Sequence, residues 1–201
     1  LATLNMTAYQ GAAAFKRISS VIDKKIHVSN NKNLPELIIK KSEIEFQKVN
    51  FNYENTNEKA VIDLNLKIIG NAMTAFVGHS GAGKSTIFNL LPRFYDPQEG
   101  SIKIDGQDIK SVTLNSLRKN LSLVSQDVIL FDDTIKNNIS YAKENASEEE
   151  IRNACKFAAA DEFIDKLPEK YDTFIGENGV RLSGGQKQRI SIARAVLKES
   201  P

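Results

Sequence analysis

Hydrophobic residues fall along this chain in two textures, one with a period near 3.6 and the other near 2, and clear punctuation separates them. Over residues 1–22, Phe15, Ile18 and Ile22 recur at i, i+3 and i+7. Leu1 and Leu4 lie on an earlier turn and no proline intervenes, so the stretch predicts a helix. Asp23 to Pro35 is polar and contains Ser29-Asn30-Asn31-Lys32-Asn33, the composition of a linker. From Leu37 the pattern turns to strands. Ile44, Phe46, Val49 and Phe51 alternate loosely, and Val61 to Ile69 alternates apolar with polar residues.

Met73 to Val77 is a short continuous apolar run that predicts a strand leading straight into glycines; Lys84 to Leu91 then predicts a helix ended by Pro92. Ser101 to Gly106 predicts a strand closing in an Asp-Gly turn, and Leu121 to Val124 a further short strand. A helical segment is predicted over 147–167. Ser147 and Glu150 have the spacing of a capping box there, three successive acids suit the helix start, and Ile151, Ala154, Phe157 and Ala158 supply an apolar face. A last helix over 185–199 carries Ile190, Ala193, Val196 and Leu197.

Composition changes this picture little. The 201 residues suffice for one sizeable core, and a net charge of +2, with 27 basic residues scattered along the chain, gives no footprint for nucleic acid. The single cysteine, Cys155, excludes an internal disulfide framework and reads as a small core residue in an apolar helical stretch. No run approaches the ~18 apolar residues of a membrane span, and the first residues lack the basic start of a signal peptide.

The chemistry lies in two glycine-rich motifs. Gly78-His79-Ser80-Gly81-Ala82-Gly83-Lys84-Ser85-Thr86 fits GxxxxGK[ST] between a predicted strand and a predicted helix. Its glycines let the backbone curl close to an anion, the helix start presents free N–H groups, Lys84 can neutralise β/γ oxygens and Ser85 can ligate Mg²⁺. His79 occupies a free position of the motif and reads as an exposed loop residue. The second motif, Leu182-Ser183-Gly184-Gly185-Gln186, offers a hydroxyl and two glycine amides at a helix start; taken alone it is equally an ordinary capped helix terminus.

Together these motifs resemble the ATP-binding cassette (ABC) transporter family, and the resemblance covers nearly the whole chain. Phe51-Asn52-Tyr53 resembles the aromatic loop in which Tyr53 would stack on adenine, and Leu123-Val124-Ser125-Gln126-Asp127 resembles the loop whose Gln126 would meet Mg²⁺ and the attacking water. Thr173 to Val180 resembles the exporter loop that precedes the signature. Gln10 to Phe15 resembles the cytosolic end of the last transmembrane helix of a fused permease–ATPase. The wording of 121–141 and 173–194 looks most like the bacterial lipid A and multidrug exporter group.

The resemblance implies an α/β P-loop fold with an antiparallel β subdomain and a helical subdomain. It divides the chain into a helical tail (1–22), a linker (23–36) and a nucleotide-binding domain (37–201). ATP and Mg²⁺ are the implied ligands, held by Tyr53, Gly78, Ser80, Gly81, Gly83, Lys84, Ser85, Thr86 and Gln126, with Lys84 and Gln126 in the catalytic roles and Ser85 and Gln126 toward the metal. Ser183, Gly184, Gly185 and Gln186 would contact the ATP of a second, identical or related domain packed head to tail. The implied setting is the cytoplasmic face of the inner membrane, beside a permease domain of the same polypeptide and without nucleic acid.

The family continues past its signature helix into an apolar strand ending in Asp-Glu, and this sequence stops at Ser200-Pro201, where that strand would start. With no initiating methionine either, a piece of a longer chain is expected, one that binds ATP but hydrolyses it negligibly by itself. Two other readings stand beside the exporter: a soluble ABC ATPase acting on nucleic acid or ribosomes, and a chain that only binds nucleotide.

Overall fold

The computed structural model describes residues 2–23, 28–54, 56 and 59–201; Leu1 and residues 24–27 of the expected linker lie outside them. Helix α1 (Ala2–Ile22) is the predicted N-terminal helix. Tyr9, Phe15, Ile18, Val21 and Ile22 all stand exposed on it. No helix among the described residues is long and apolar enough to cross a membrane.

Strands β1 (Ile44–Phe51), β2 (Val61–Ile68), β3 (Glu99–Ile104) and β4 (Gln107–Asp108) form one antiparallel sheet in the order β2-β1-β3-β4. The alternation read from the sequence is loose because the β1–β2 register shifts between Phe46 and Val49 and again before Phe51. Phe46, Val49, Phe51, Ile102 and Ile104 face inward and pack with Leu90 of helix α2 (Lys84–Leu90), Ile109, and Leu117 of helix α3 (Leu114–Lys119) into a first core. Asp105-Gly106 is the predicted turn, with both residues at positive φ, 48° and 76°.

Asp105 has a second task. Its carboxylate accepts the backbone N–H groups of Lys40, Lys41, Ser42 and Glu43, at 2.6–3.2 Å, and so fastens the segment before β1 to the β3–β4 turn. Desolvation pushes this carboxyl up, but the four N–H groups outweigh it and hold it down to about 2.

The helical region has a core of its own. Helices α4 (Ile135–Ser140), α5 (Glu148–Phe157), α6 (Asp161–Ile164) and α7 (Gly184–Leu197) bury Leu130, Ile135, Ile139, Ile151, Ile164 and Ile190 against one another. Cys155 is buried there as expected, and burial pushes its thiol up to about 11. The Ser147–Glu150 capping box is present.

Three expectations need correction. The segment 147–167 is not one helix: the chain turns at Ala159, where φ is 51°, and α6 restarts after it. Phe157 is off the apolar face and 77% exposed; Ile151, Ala154, Cys155 and Ala158 form the i, i+3, i+4, i+7 stripe instead. Met73–Val77 and Leu121–Val124 run without helix or ladder, and Met73 and Val77 are almost fully exposed. A strand exists only through its neighbour's hydrogen bonds, and no described segment pairs with either of them.

Candidate functional site

Helix α2 (Lys84–Leu90) follows the glycine loop directly, with Gly83 as its N-cap at φ 79°. Gly81 also has positive φ, 82°, so the loop turns twice through conformations that disfavour a side chain. At Gly83 the requirement is double, because a Cβ would lie 2.4 Å from the Ala60 carbonyl oxygen. The loop is thus seated on the residue that leads into β2. At Gly81 a Cβ would meet nothing, so the backbone there is open to whatever approaches.

Lys84 curls back over this loop. Its Nζ donates to the carbonyl oxygens of Gly78 and His79, at 2.8 and 2.7 Å. Among the described residues no carboxylate holds it, and an anion entering the loop meets an ammonium already in place. Ser80, Gly81 and Ser85 are exposed, as is His79. These residues fit a polyphosphate with a divalent cation: the curled backbone and Lys84 suit the phosphates, and the exposed Ser85 hydroxyl suits Mg²⁺.

Thr86 is buried, and its Oγ1 accepts a hydrogen bond from the Tyr53 hydroxyl at 3.2 Å. The fold therefore brings Tyr53, thirty-three positions earlier, onto the first turn of α2. Nothing in the sequence pattern announced this contact. Phe51 and Tyr95 pack edge-on to the Tyr53 ring, with centroids 4.9 and 5.1 Å away. Tyr95 was missed by sequence reasoning; the available signal was the aromatic pair Phe94-Tyr95 just after Pro92.

The second motif is built differently. Ser183 caps α7 and Gln186 answers it: the Ser183 side chain accepts from the Gln186 backbone, and Gln186 Oε1 accepts from the Ser183 backbone at 2.9 Å. Gly184 and Gly185 are exposed, and a Cβ on either would meet nothing within 4 Å. Packing inside this chain does not require glycine at either position.

Gln126 is exposed in the stretch between Val124 and Leu130. Among the described residues no hydrogen bond, ion pair or ring contact joins Gln126 or the 183–186 group to the phosphate loop. The segment just beyond Gln126 is instead tied to α7. Arg194 donates to the carbonyl oxygens of Ile129 and Asn138, and to the fully buried Asn138 side chain, at 2.6–2.7 Å. Burial lowers the pKa of this arginine. The loop that carries Gln126 and the helix that carries the glycine pair are thereby mechanically joined.

Comparison with known proteins identifies the family and the fold. The ABC transporter family model matches residues 61–201. An ATP-dependent lipid A-core flippase of Desulfotalea psychrophila is 49% identical over 198 residues, which is 98% of this chain and 34% of that protein. The flippase of the same name from Legionella pneumophila strain Paris is 48% identical over the whole chain and again 34% of its own length. Among solved structures, a bacterial Atm1-family ABC exporter with ATP bound superposes with a TM-score of 0.88 at 45% identity, covering 96% of this chain and 34% of that one. The chain thus spans about a third of the length of these relatives. Its fold is that of an ABC-type P-loop ATPase domain, with the antiparallel β region and helical region expected from the sequence. The chain belongs to the ABC transporter family.

Proposed function

We propose that this chain is the ATP-binding part of an ATP-driven membrane exporter of lipid type, working as a pair of domains packed head to tail. The observation that carries the reading is the presence of two glycine-rich sites of different construction on one chain. One is a pre-curled loop with its own ammonium and serine; the other is an open, capped helix start that no described segment of the chain covers. One ATP does not need both. A partner domain does: its ATP, held in its own loop, would be closed from the far side by Ser183, Gly184 and Gly185.

In this reading Lys84 neutralises β/γ oxygens, and Ser80, Gly81 and Gly83 let the backbone approach them. Mg²⁺, when bound, supplies further charge neutralisation at the phosphates, with Ser85 and Gln126 toward it. Tyr53 stacks on the base. Gln126 reports the nucleotide state through its loop, which Arg194 couples to α7. Helix α1, with its exposed aromatic and aliphatic side chains, is the cytosolic end of a membrane helix, joined to the domain by 23–36. The setting is the cytoplasmic face of the inner membrane. Among the described residues no strand ends in an acidic pair, since Asp132-Asp133 leads into α4 and Asp161-Glu162 opens α6; taken alone, residues 1–201 bind ATP and turn it over negligibly.

Reconstitution tests this. The full-length protein in lipid vesicles should move a labelled lipid between leaflets only with ATP and Mg²⁺, and Lys84→Ala should stop it. Lipid movement that is indifferent to ATP, or unchanged by Lys84→Ala, would overturn the assignment.

A further inference from the structure

Three aromatic rings, Phe51, Tyr53 and Tyr95, meet in one cluster, and no sequence motif accounts for the third. Tyr53 meets Phe51 at an interplanar angle of 82° and Tyr95 at 88°, and Phe51 and Tyr95 touch each other at 5.6 Å. Phe51 is buried in the first core; Tyr95 is 43% exposed and reaches Tyr53 from a separate turn. Edge-on packing from two sides, with the hydroxyl on Thr86, leaves Tyr53 little rotational freedom.

The turn that carries Tyr95 is itself held hard. Arg93 is buried at a positive φ of 52°, and its guanidinium grips Asp96 with two parallel hydrogen bonds of 2.9 Å. Arg118 donates to the carbonyl oxygens of Pro92 and Arg93, both at 2.9 Å. Two arginines therefore fix a short segment whose ring contact toward the site is Tyr95 on Phe51 and Tyr53. Arg93 also donates to the carbonyl oxygen of the core residue Ile109, at 3.3 Å, so the turn is anchored to the first core as well.

We propose that Tyr95 is a positioning residue for nucleotide-base recognition, holding the Tyr53 ring in the orientation that places its hydroxyl on Thr86 and its face toward the base. This rests on the reading of Tyr53 as the base-stacking residue. It predicts that Tyr95 acts on the base end of the ligand alone. Because the contact is made by the ring, its hydroxyl is dispensable.

Equilibrium binding to the full-length protein tests this, with ATP and inorganic tripolyphosphate as separate probes. Tyr95→Ala should weaken ATP roughly 3- to 10-fold, the size expected of a lost aromatic pair, and leave tripolyphosphate unchanged. Tyr95→Phe should bind ATP like the parent. Tyr53→Ala should weaken ATP at least as much as Tyr95→Ala, and adding Tyr95→Ala to it should cost nothing further. If Tyr53→Ala weakens ATP but Tyr95→Ala does not, the positioning role is overturned while base stacking stands. If Tyr53→Ala itself leaves ATP unchanged, the stacking reading falls and the inference with it. Equal loss of ATP and tripolyphosphate in Tyr95→Ala, or failure of Tyr95→Phe to restore ATP binding, would also overturn it.

Discussion

The two glycine motifs look alike as sequences and are held by opposite means. In the phosphate loop, glycine is demanded by the backbone: Gly81 and Gly83 sit at positive φ, and Gly83 presses on the Ala60 carbonyl. In the signature the backbone is ordinary helix start, held by the reciprocal Ser183–Gln186 bonds, and the glycines stand in open space. The first set of glycines shapes a loop. The second keeps a surface clear. Glycine therefore carries two distinct messages here, and a substitution should affect folding at one motif and association at the other.

The largest effect is expected where the loop's charge is removed. Lys84→Ala should lower ATP turnover of the full-length protein by about 10²–10³-fold, the scale for losing one preorganised group at a developing charge; steady-state phosphate release measures it. Next comes the strained glycine. Gly83→Ala forces a Cβ onto the Ala60 oxygen at a φ that side chains avoid, at a cost of about 3 kcal/mol. Thermal unfolding should show it, and a variant as stable as the parent would mean that the loop is not seated as described.

The signature should respond the other way. Ser183→Arg should leave ATP binding by a single protomer unchanged and block ATP-driven association of the full-length protein, read by light scattering; its fold should lose only the cap, about 1 kcal/mol. Gly184→Ala should sharpen the contrast further, since helix propensity makes it neutral or stabilising by up to about 0.5 kcal/mol. If Gly184→Ala unfolds the domain, the two motifs are not built on different principles after all.

The smallest effect separates two capping boxes. At α5 the box uses Glu150, whose carboxyl is held down to about 2 by its hydrogen bond with Lys143 and then by the Ser147 N–H. Its stabilisation is present above the ordinary carboxylate range and is lost as pH falls toward about 2. At α7 the box uses Gln186, which does not titrate. Acidification through about pH 4 to 2 should therefore lower amide protection, measured against the intrinsic exchange rate at each pH, in the first turn of α5 and not in that of α7, and Glu150→Gln should remove the difference.

The sequence alone carried the local elements, because each has a local cause. Period 3.6 marked α1 and α7, Asp105-Gly106 marked its turn, and Ser147–Glu150 marked a helix start that the structure reproduces. The phosphate loop was legible as well, since its requirements of glycine, lysine and hydroxyl at fixed spacing are met within nine residues. Contacts between distant segments were not. Met73–Val77 has the composition of a strand but no ladder, because pairing depends on a neighbour that composition cannot supply. Phe157 has the composition of a core residue and lies outside the core, because a helix buries one stripe and tertiary packing selects it. The placement of Tyr53 on Thr86, the Tyr95 ring beside it, and the Arg194 tie between the Gln126 loop and α7 depend on contacts that reach 33 to 65 positions along the chain. No periodicity reaches that far, and only the folded chain decided them.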